Sequence, residues 1–243
     1  MNLVKDVSSL LSETPQLADI MNLRPFDTFA QLSGALFAYL CKNESLGNTV
    51  QNVYANDDKL VETTLYDVAE TARRNFEPGG AAASLLFSRG VQAIMAHRVA
   101  HKLWVDGNIN LSQAIKCGCG QVFTTDIHPA AQIGAGIWLD HGLGFVVGET
   151  SVIEEDVSIW HNVTLGSTLN DSGAHRHPHI GRGAVLGAGS ILLGNIKIGA
   201  NVNVAAGSIV VNDVPEGLSI VGAKATLRGP SRVSFAPKKG SSN

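Results

Sequence analysis

The chain has 243 residues, 44% apolar and 16% charged, enough to bury a core and too apolar for a disordered segment. Eighteen Lys and Arg stand against 21 Asp and Glu, a net charge of −3 with no long basic run, which argues against nucleic acid as a partner. The opening MNLVKDVSSLLSETP has no apolar core of signal-peptide length, no stretch approaches the ~18 apolar residues of a membrane span, and three cysteines are too few for a disulfide scaffold. The expectation is a cytoplasmic protein without membrane contact.

In chain order, short helical stretches are predicted near residues 2–12 and 57–76. Between them Phe29, Leu32, Leu36 and Tyr39 recur at spacings of three or four, a buried helical face over 29–40. A longer pattern runs from Ser84 to Trp104, with Leu86, Val91, Ile94, Met95, Val99 and Leu103 near one face and Gly107 as its stop. His97 and His101 lie four apart on that helix, but the Glu of H-E-x-x-H and a third ligand are missing, so they read as packing residues. Cys117-Gly-Cys119 lacks the second ligand pair of a zinc pattern.

Of 26 glycines, six lie in residues 1–115 and twenty between Gly118 and Gly240. Glycine breaks helices, so an α-helical domain is expected over 1–115, strands and turns over 116–230, and a flexible tail over 231–243. In the second region an aliphatic residue returns every six positions, at Ile180, Leu186, Leu192, Ile198, Val204 and Val210. The same period appears at Ile127, Ile133 and Leu139, and at Val147, Ile153, Ile159 and Leu165. A hexad makes one short strand and one tight turn, three hexads close a triangular coil, and each coil buries its aliphatic residues by stacking on the next. The helical domain caps the stack.

The period fails twice: Leu139 to Val147 is eight residues, and Leu165 to Ile180 is fifteen. Loops thrown out of a rigid scaffold are where sites are mounted, and these two carry His141 and His177. With Arg176, Asp126, Asp140 and Glu149 they are candidates to share one cleft. A neutral imidazole suits removal of a proton from a hydroxyl, and a carboxylate on its far nitrogen fixes the tautomer. No G-x-S-x-G elbow is present, so direct attack of a substrate hydroxyl on an acyl donor is the chemistry that fits. His175 and His179 read as surface residues.

Asp126-Ile-His-Pro-Ala-Ala131, Leu139-Asp-His141, Val146-Val-Gly-Glu-Thr150, Val163-Thr-Leu-Gly166 and Arg176-His-Pro178 resemble the signature segments of serine O-acetyltransferases. Leu85-Leu-Phe-Ser-Arg-Gly90 and His97-Arg-Val-Ala-His-Lys-Leu-Trp104 are similar to that family's last helix before the coil, so the resemblance covers about residues 35–230. It implies an α+β chain, an α-helical domain followed by a left-handed parallel β-helix, that acetylates L-serine from acetyl-CoA in cysteine biosynthesis. It further implies His141 as general base oriented by Asp126, Asp140 and His177 holding the amino acid, and Arg176 on its carboxylate. CoA would lie along a groove between two subunits, near Ser167, Ala188 and Ala206, in a homotrimer or a dimer of trimers without a metal.

Four departures stand out. An Arg-Asp-Pro segment whose aspartate binds the serine ammonium reads Arg74-Asn75-Phe76 here, so Asn75 can accept a hydrogen bond but brings no charge, unless Glu77 substitutes for it. The acid usual before Arg-His-Pro is His175, in a loop one residue longer, and the second glycine of Thr-Leu-Gly-Gly is Ser167. The tail Phe235–Asn243 lacks a terminal isoleucine, which predicts no stable complex with a cysteine synthase. These departures leave homoserine or another hydroxylated molecule as the alternative acceptor. The three-histidine zinc site of hexapeptide-repeat carbonic anhydrases needs an H-x4-H pair that this half lacks.

Overall fold

The computed structural model describes residues 2–23, 25–168, 173–224 and 226. Eight helices come first among them: α1 (Leu3–Glu13), α2 (Pro15–Ile20), α3 (Phe29–Cys41), α4 (Glu44–Ala55), α5 (Asp58–Asn75), α6 (Gly80–Phe87), α7 (Arg89–Val105) and α8 (Ile109–Phe123). The expected helices over 2–12, 29–40 and 57–76 are α1, α3 and α5. The single helix expected from Ser84 to Trp104 is two, because Ser88 leaves the helix (φ −82°, ψ 108°) and its side chain caps α7 at Val91 N–H.

Helices α4 and α8 were not expected, and both contain glycine. Gly47 of α4 sits where a Cβ would fall 2.5 Å from the Gly34 carbonyl oxygen and 2.6 Å from Ala38 Cβ, so the glycine lets α3 and α4 touch backbone to backbone. Helix α8 carries the helical region past the composition change at 116 to Phe123. Cys119 is buried on α8 with its Sγ 3.8 Å from Cys41 Sγ, while Cys117 is exposed, so the C-x-C sulfurs do not share a site. No helix among the described residues is long and apolar enough to cross a membrane.

The remainder is the left-handed parallel β-helix, wound from fourteen short strands in three parallel sheets. Sheet I stacks β1 (Asp126–Ile127), β4 (Val146–Val147), β7 (Thr164–Gly166), β10 (Ile191–Leu193) and β13 (Ile209–Val210). Sheet II stacks β2 (Gln132–Ile133), β5 (Val152–Ile153), β8 (His179–Ile180) and β11 (Lys197–Ile198). Sheet III stacks β3 (Trp138–Leu139), β6 (Ser158–Ile159), β9 (Val185–Leu186), β12 (Asn203–Val204) and β14 (Ser219–Ile220). In each strand one residue of the pair points in. Ile159, Leu165, Ile180, Leu186, Leu192, Ile198 and Val204 are fully buried, as the six-residue period requires.

A buried ion pair locks the helices onto the coil. Arg98 of α7 holds Asp67 of α5 through Nε (2.5 Å) and Nη2 (3.0 Å), and donates to the carbonyls of Ile133 and Gly134. Asp67 also accepts from the Ile137 N–H. Both side chains are satisfied, which is the condition for a buried pair to hold a junction together.

Candidate active site

The turn from β3 to β4, at the edge between sheets III and I, carries His141. The Gly142 N–H donates to the Asp140 carbonyl (2.7 Å), a three-residue γ-turn with His141 at its centre and φ +61°. A non-glycine residue in that region costs on the order of 1–3 kcal/mol and marks a position held by its surroundings. Part of the holding is α7: Gly90 lies so close that a Cβ would meet the Leu139 carbonyl oxygen at 1.7 Å. The His141 side chain is 65% exposed, and its Nε2 is 3.3 Å from Asp140 Oδ2.

Asp126, at the head of β1, pairs through its backbone with Val146 just beyond this turn, and its carboxylate is engaged by Lys116 Nζ (2.5 Å). Asn75, at the end of α5, stands on the same side. Its Oδ1 accepts from Trp138 Nε1 (2.9 Å), and Trp138 packs edge-on against Trp160 at 4.8 Å between ring centroids. An indole N–H can only donate, so the Asn75 oxygen must face it and the amide NH2 is left for other partners.

Down this edge the turns stack one per coil. The N–H groups of Asn162, Gly189 and Gly207 donate to the carbonyls of Leu143, His161 and Ala188, so Leu143, His161, Ala188 and Ala206 form a column. The His161 ring lies 5.7 Å from the His141 ring, tilted 60°. Sequence reasoning passed over His161, Trp138 and Trp160. The spacing held one signal for the first, since Leu139 pairs with Ile159 and His161 therefore stands one full coil after His141.

His177 and Arg176 sit at a different edge, between sheets I and II, where the long excursion returns to β8. The Thr150 N–H donates to His177 Nδ1 (3.2 Å), and Thr150 Oγ1 is 2.9 Å from the same nitrogen. A backbone N–H on Nδ1 assigns the proton of the neutral ring to Nε2. The ring lies over Gly148, where a Cβ would meet it at 2.0 Å. Arg176 Nη2 holds Glu149 Oε2 at 2.6 Å, and this pairing keeps the Glu149 carboxyl below its ordinary range.

One chain therefore brings Asn75, Asp126, Asp140, His141, Ala188 and Ala206 to the III/I edge. It brings Ser167, Arg176 and His177 to the I/II edge, with sheet I between the two. The excursion itself lies partly outside the described residues, as does the tail on which the cysteine synthase expectation rests. His97 and His101 stack at 5.6 Å in the α7 packing, His97 buried and His101 bonded to the Pro129 carbonyl. Among the described residues no group of three or more His, Cys, Asp or Glu is arranged to hold a metal ion.

The six-repeat bacterial transferase hexapeptide model matches residues 177–212. The chain is 36% identical to a serine acetyltransferase of Buchnera aphidicola, over 96% of this chain and 89% of that one. Its fold is similar to that of the Neisseria gonorrhoeae serine acetyltransferase solved with serine (TM-score 0.80, 34% identity, 93% and 95% of the two chains). It is also similar to a serine acetyltransferase solved with CoA (TM-score 0.81, 31% identity, 92% and 96%).

Proposed function

The chain belongs to the serine acetyltransferase family and is an acyltransferase of that type, and from that premise we propose that it moves acetyl from acetyl-CoA to the hydroxyl of L-serine with His141 as general base, the step that makes O-acetylserine for cysteine biosynthesis. The observation that carries the mechanism is the imidazole held in a strained γ-turn with a carboxylate 3.3 Å away. His141 takes the hydroxyl proton as the serine oxygen bonds the thioester carbon. The tetrahedral intermediate collapses, the carbon–sulfur bond breaks, and the proton is returned to the departing thiolate. Asp126, beside the turn, is the second acid assigned to orient that ring, and to do so it exchanges Lys116 for His141.

The amino acid is assigned to Asp140 and His177, with its carboxylate on Arg176, whose guanidinium can hold a second carboxylate beside Glu149. CoA is assigned to the corner column of Ala188 and Ala206 and, from the other edge, to Ser167. Because these groups occupy two edges of one coil, a complete site takes the III/I edge of one copy and the I/II edge of the next. Sheet I, between the edges, supports this. Apart from Asp126 and Thr164 its outward positions are apolar, with Val146 37%, Ile209 69% and Val211 52% exposed and Ile191 and Leu193 half-buried. Sheets II and III are mixed in corresponding places, with Gln132, His179, Lys197, Ser158, Asn203 and Ser219 beside Val152, Trp138 and Val185. An edge-to-different-edge contact is heterologous and must close into a ring, and a triangular coil with sheet I inward closes with three copies.

Two measurements test the proposal. CoA thiol release should depend on L-serine and fall at least about 100-fold in His141→Ala with the oligomer intact. Mixing unfolded His141→Ala and His177→Ala chains and refolding them together should recover about one quarter of wild-type turnover, since one interface in four then has both histidines. No recovery would place the whole site in one chain. Homoserine is the second acceptor to assay, favoured by one observation: the position expected to bear a carboxylate is an amide whose oxygen is already committed to Trp138.

A further inference from the structure

We infer that His161 is a second catalytic imidazole, donating from Nε2 to the sulfur of the acetyl thioester and steadying the thiolate as the carbon–sulfur bond breaks. This rests on the acetyl-transfer reading with His141 as base, and it adds the group that meets the leaving end of the donor. His161 follows β6 at the III/I edge, one coil beyond His141, and the two rings are 5.7 Å apart. An attacking oxygen bonded to His141 must come within ~3–3.5 Å of the thioester carbon. The sulfur is one bond further, so it lies within reach of a ring at that distance. The same turn position in the next two coils is Ala188 and Ala206, which places His161 at the head of the column assigned to CoA.

The hydrogen bonding of the ring supports a ligand role. Nδ1 of His161 is buried without a partner, and the ring makes no hydrogen bond to the described residues. With neither solvent nor acceptor at Nδ1, the proton of the neutral ring belongs on Nε2, and the half-buried ring offers that nitrogen as a donor. A histidine kept only for packing could be a phenylalanine here at no loss of a bond. The balance of the reaction is unchanged: His141 takes the serine proton and returns it to sulfur, while His161 lends a hydrogen bond and keeps its proton.

The test compares CoA with desulfo-CoA, binding measured by calorimetry, for the wild type, His161→Phe and His161→Gln. His161→Phe keeps a ring against His141 and removes the donor; His161→Gln keeps a donor. The wild type should bind CoA more tightly than desulfo-CoA, His161→Phe should bind the two alike, and His161→Gln should retain most of the preference. Turnover should fall about 10- to 100-fold in His161→Phe with the KM for serine within about twofold. An unchanged preference in His161→Phe, or no preference in the wild type, overturns the inference even if turnover falls, because His161 would then act only through the His141 ring. Failure of the wild type to bind either ligand overturns the acetyl-transfer reading itself, and this inference with it.

Discussion

Gly148→Ala should disable the I/II half of the site while leaving the coil folded. The His177 ring is 9% exposed and lies flat over Gly148, where a Cβ would sit 2.0 Å from both Cδ2 and Nε2 and 2.7 Å from Cε1. Ordinary contact needs about 3.5 Å or more, so the ring must retreat by roughly 1.5 Å or rotate away. Either movement breaks its bonds to the Thr150 N–H and hydroxyl, at 3.2 and 2.9 Å. Overpacking of this kind costs about 1–3 kcal/mol, and each lost hydrogen bond about 0.5–1.5 kcal/mol. A displacement of ~1 Å in a positioning group is enough for a loss on the order of 100-fold. Steady-state kinetics should show kcat/KM for serine down by about that factor, with circular dichroism and oligomeric state unchanged. Gly166→Ala is the control, because its Cβ would meet only the flexible end of Leu193 at 2.9 Å. Gly148→Ala with kcat/KM within about threefold of wild type would refute the assignment of His177 to substrate.

Asp67→Ala should destabilise the protein by about 3–5 kcal/mol, since it strands the buried Arg98 guanidinium and frees the Ile137 N–H. Denaturant titration followed separately at helical and β-sheet signals should show the two regions parting. Burial pushes the His97 imidazole well below the ordinary histidine range, so folding keeps it neutral while the unfolded chain binds a proton below about pH 6.5. Its contribution is therefore present above about pH 6.5 and is lost as the pH falls from there toward the folded value. The fall in Tm between about pH 7.5 and 5 should be shallower in His97→Phe than in the wild type; equal slopes would mean that other groups govern the acid limb.

The coil was legible because a hexad leaves little freedom. One aliphatic residue per six must point inward, so Ile180, Leu186 and Leu192 announce strands that no two-residue segment could announce by propensity. The helices were less legible where glycine serves packing: Gly47 and Gly118 lie inside α4 and α8, and reading them as breakers hid both helices. The split of α6 from α7 depended on Ser88 acting as a cap within an otherwise continuous apolar pattern. The Trp138–Asn75 bond joins residues 63 apart and has no local signal at all. The two departures from the period did mark His141 and His177, but counting departures does not say which corner each occupies. His141 follows the third strand of a coil and His177 precedes the second, and that phase puts them on separate edges.

The same lack of freedom dictates where chemistry can be mounted. Inward positions from Ile159 to Val204 are closed to solvent and filled by aliphatic side chains, so acids and bases can be placed only on the outer surface and at the turns. A single convex turn offers too few groups to surround a substrate, and a cleft needs an opposing wall. At the III/I edge α5 and α7 supply part of one, through Asn75 and the close packing of Gly90. At the I/II edge the described residues of the excursion supply Arg176 and His177, set against Glu149, while His141 stands at the other edge. On the reading proposed above, the base and the carboxylate-binding groups stand at separate edges, and the largely apolar sheet I between them is the surface proposed to bring a second copy's edge to the first.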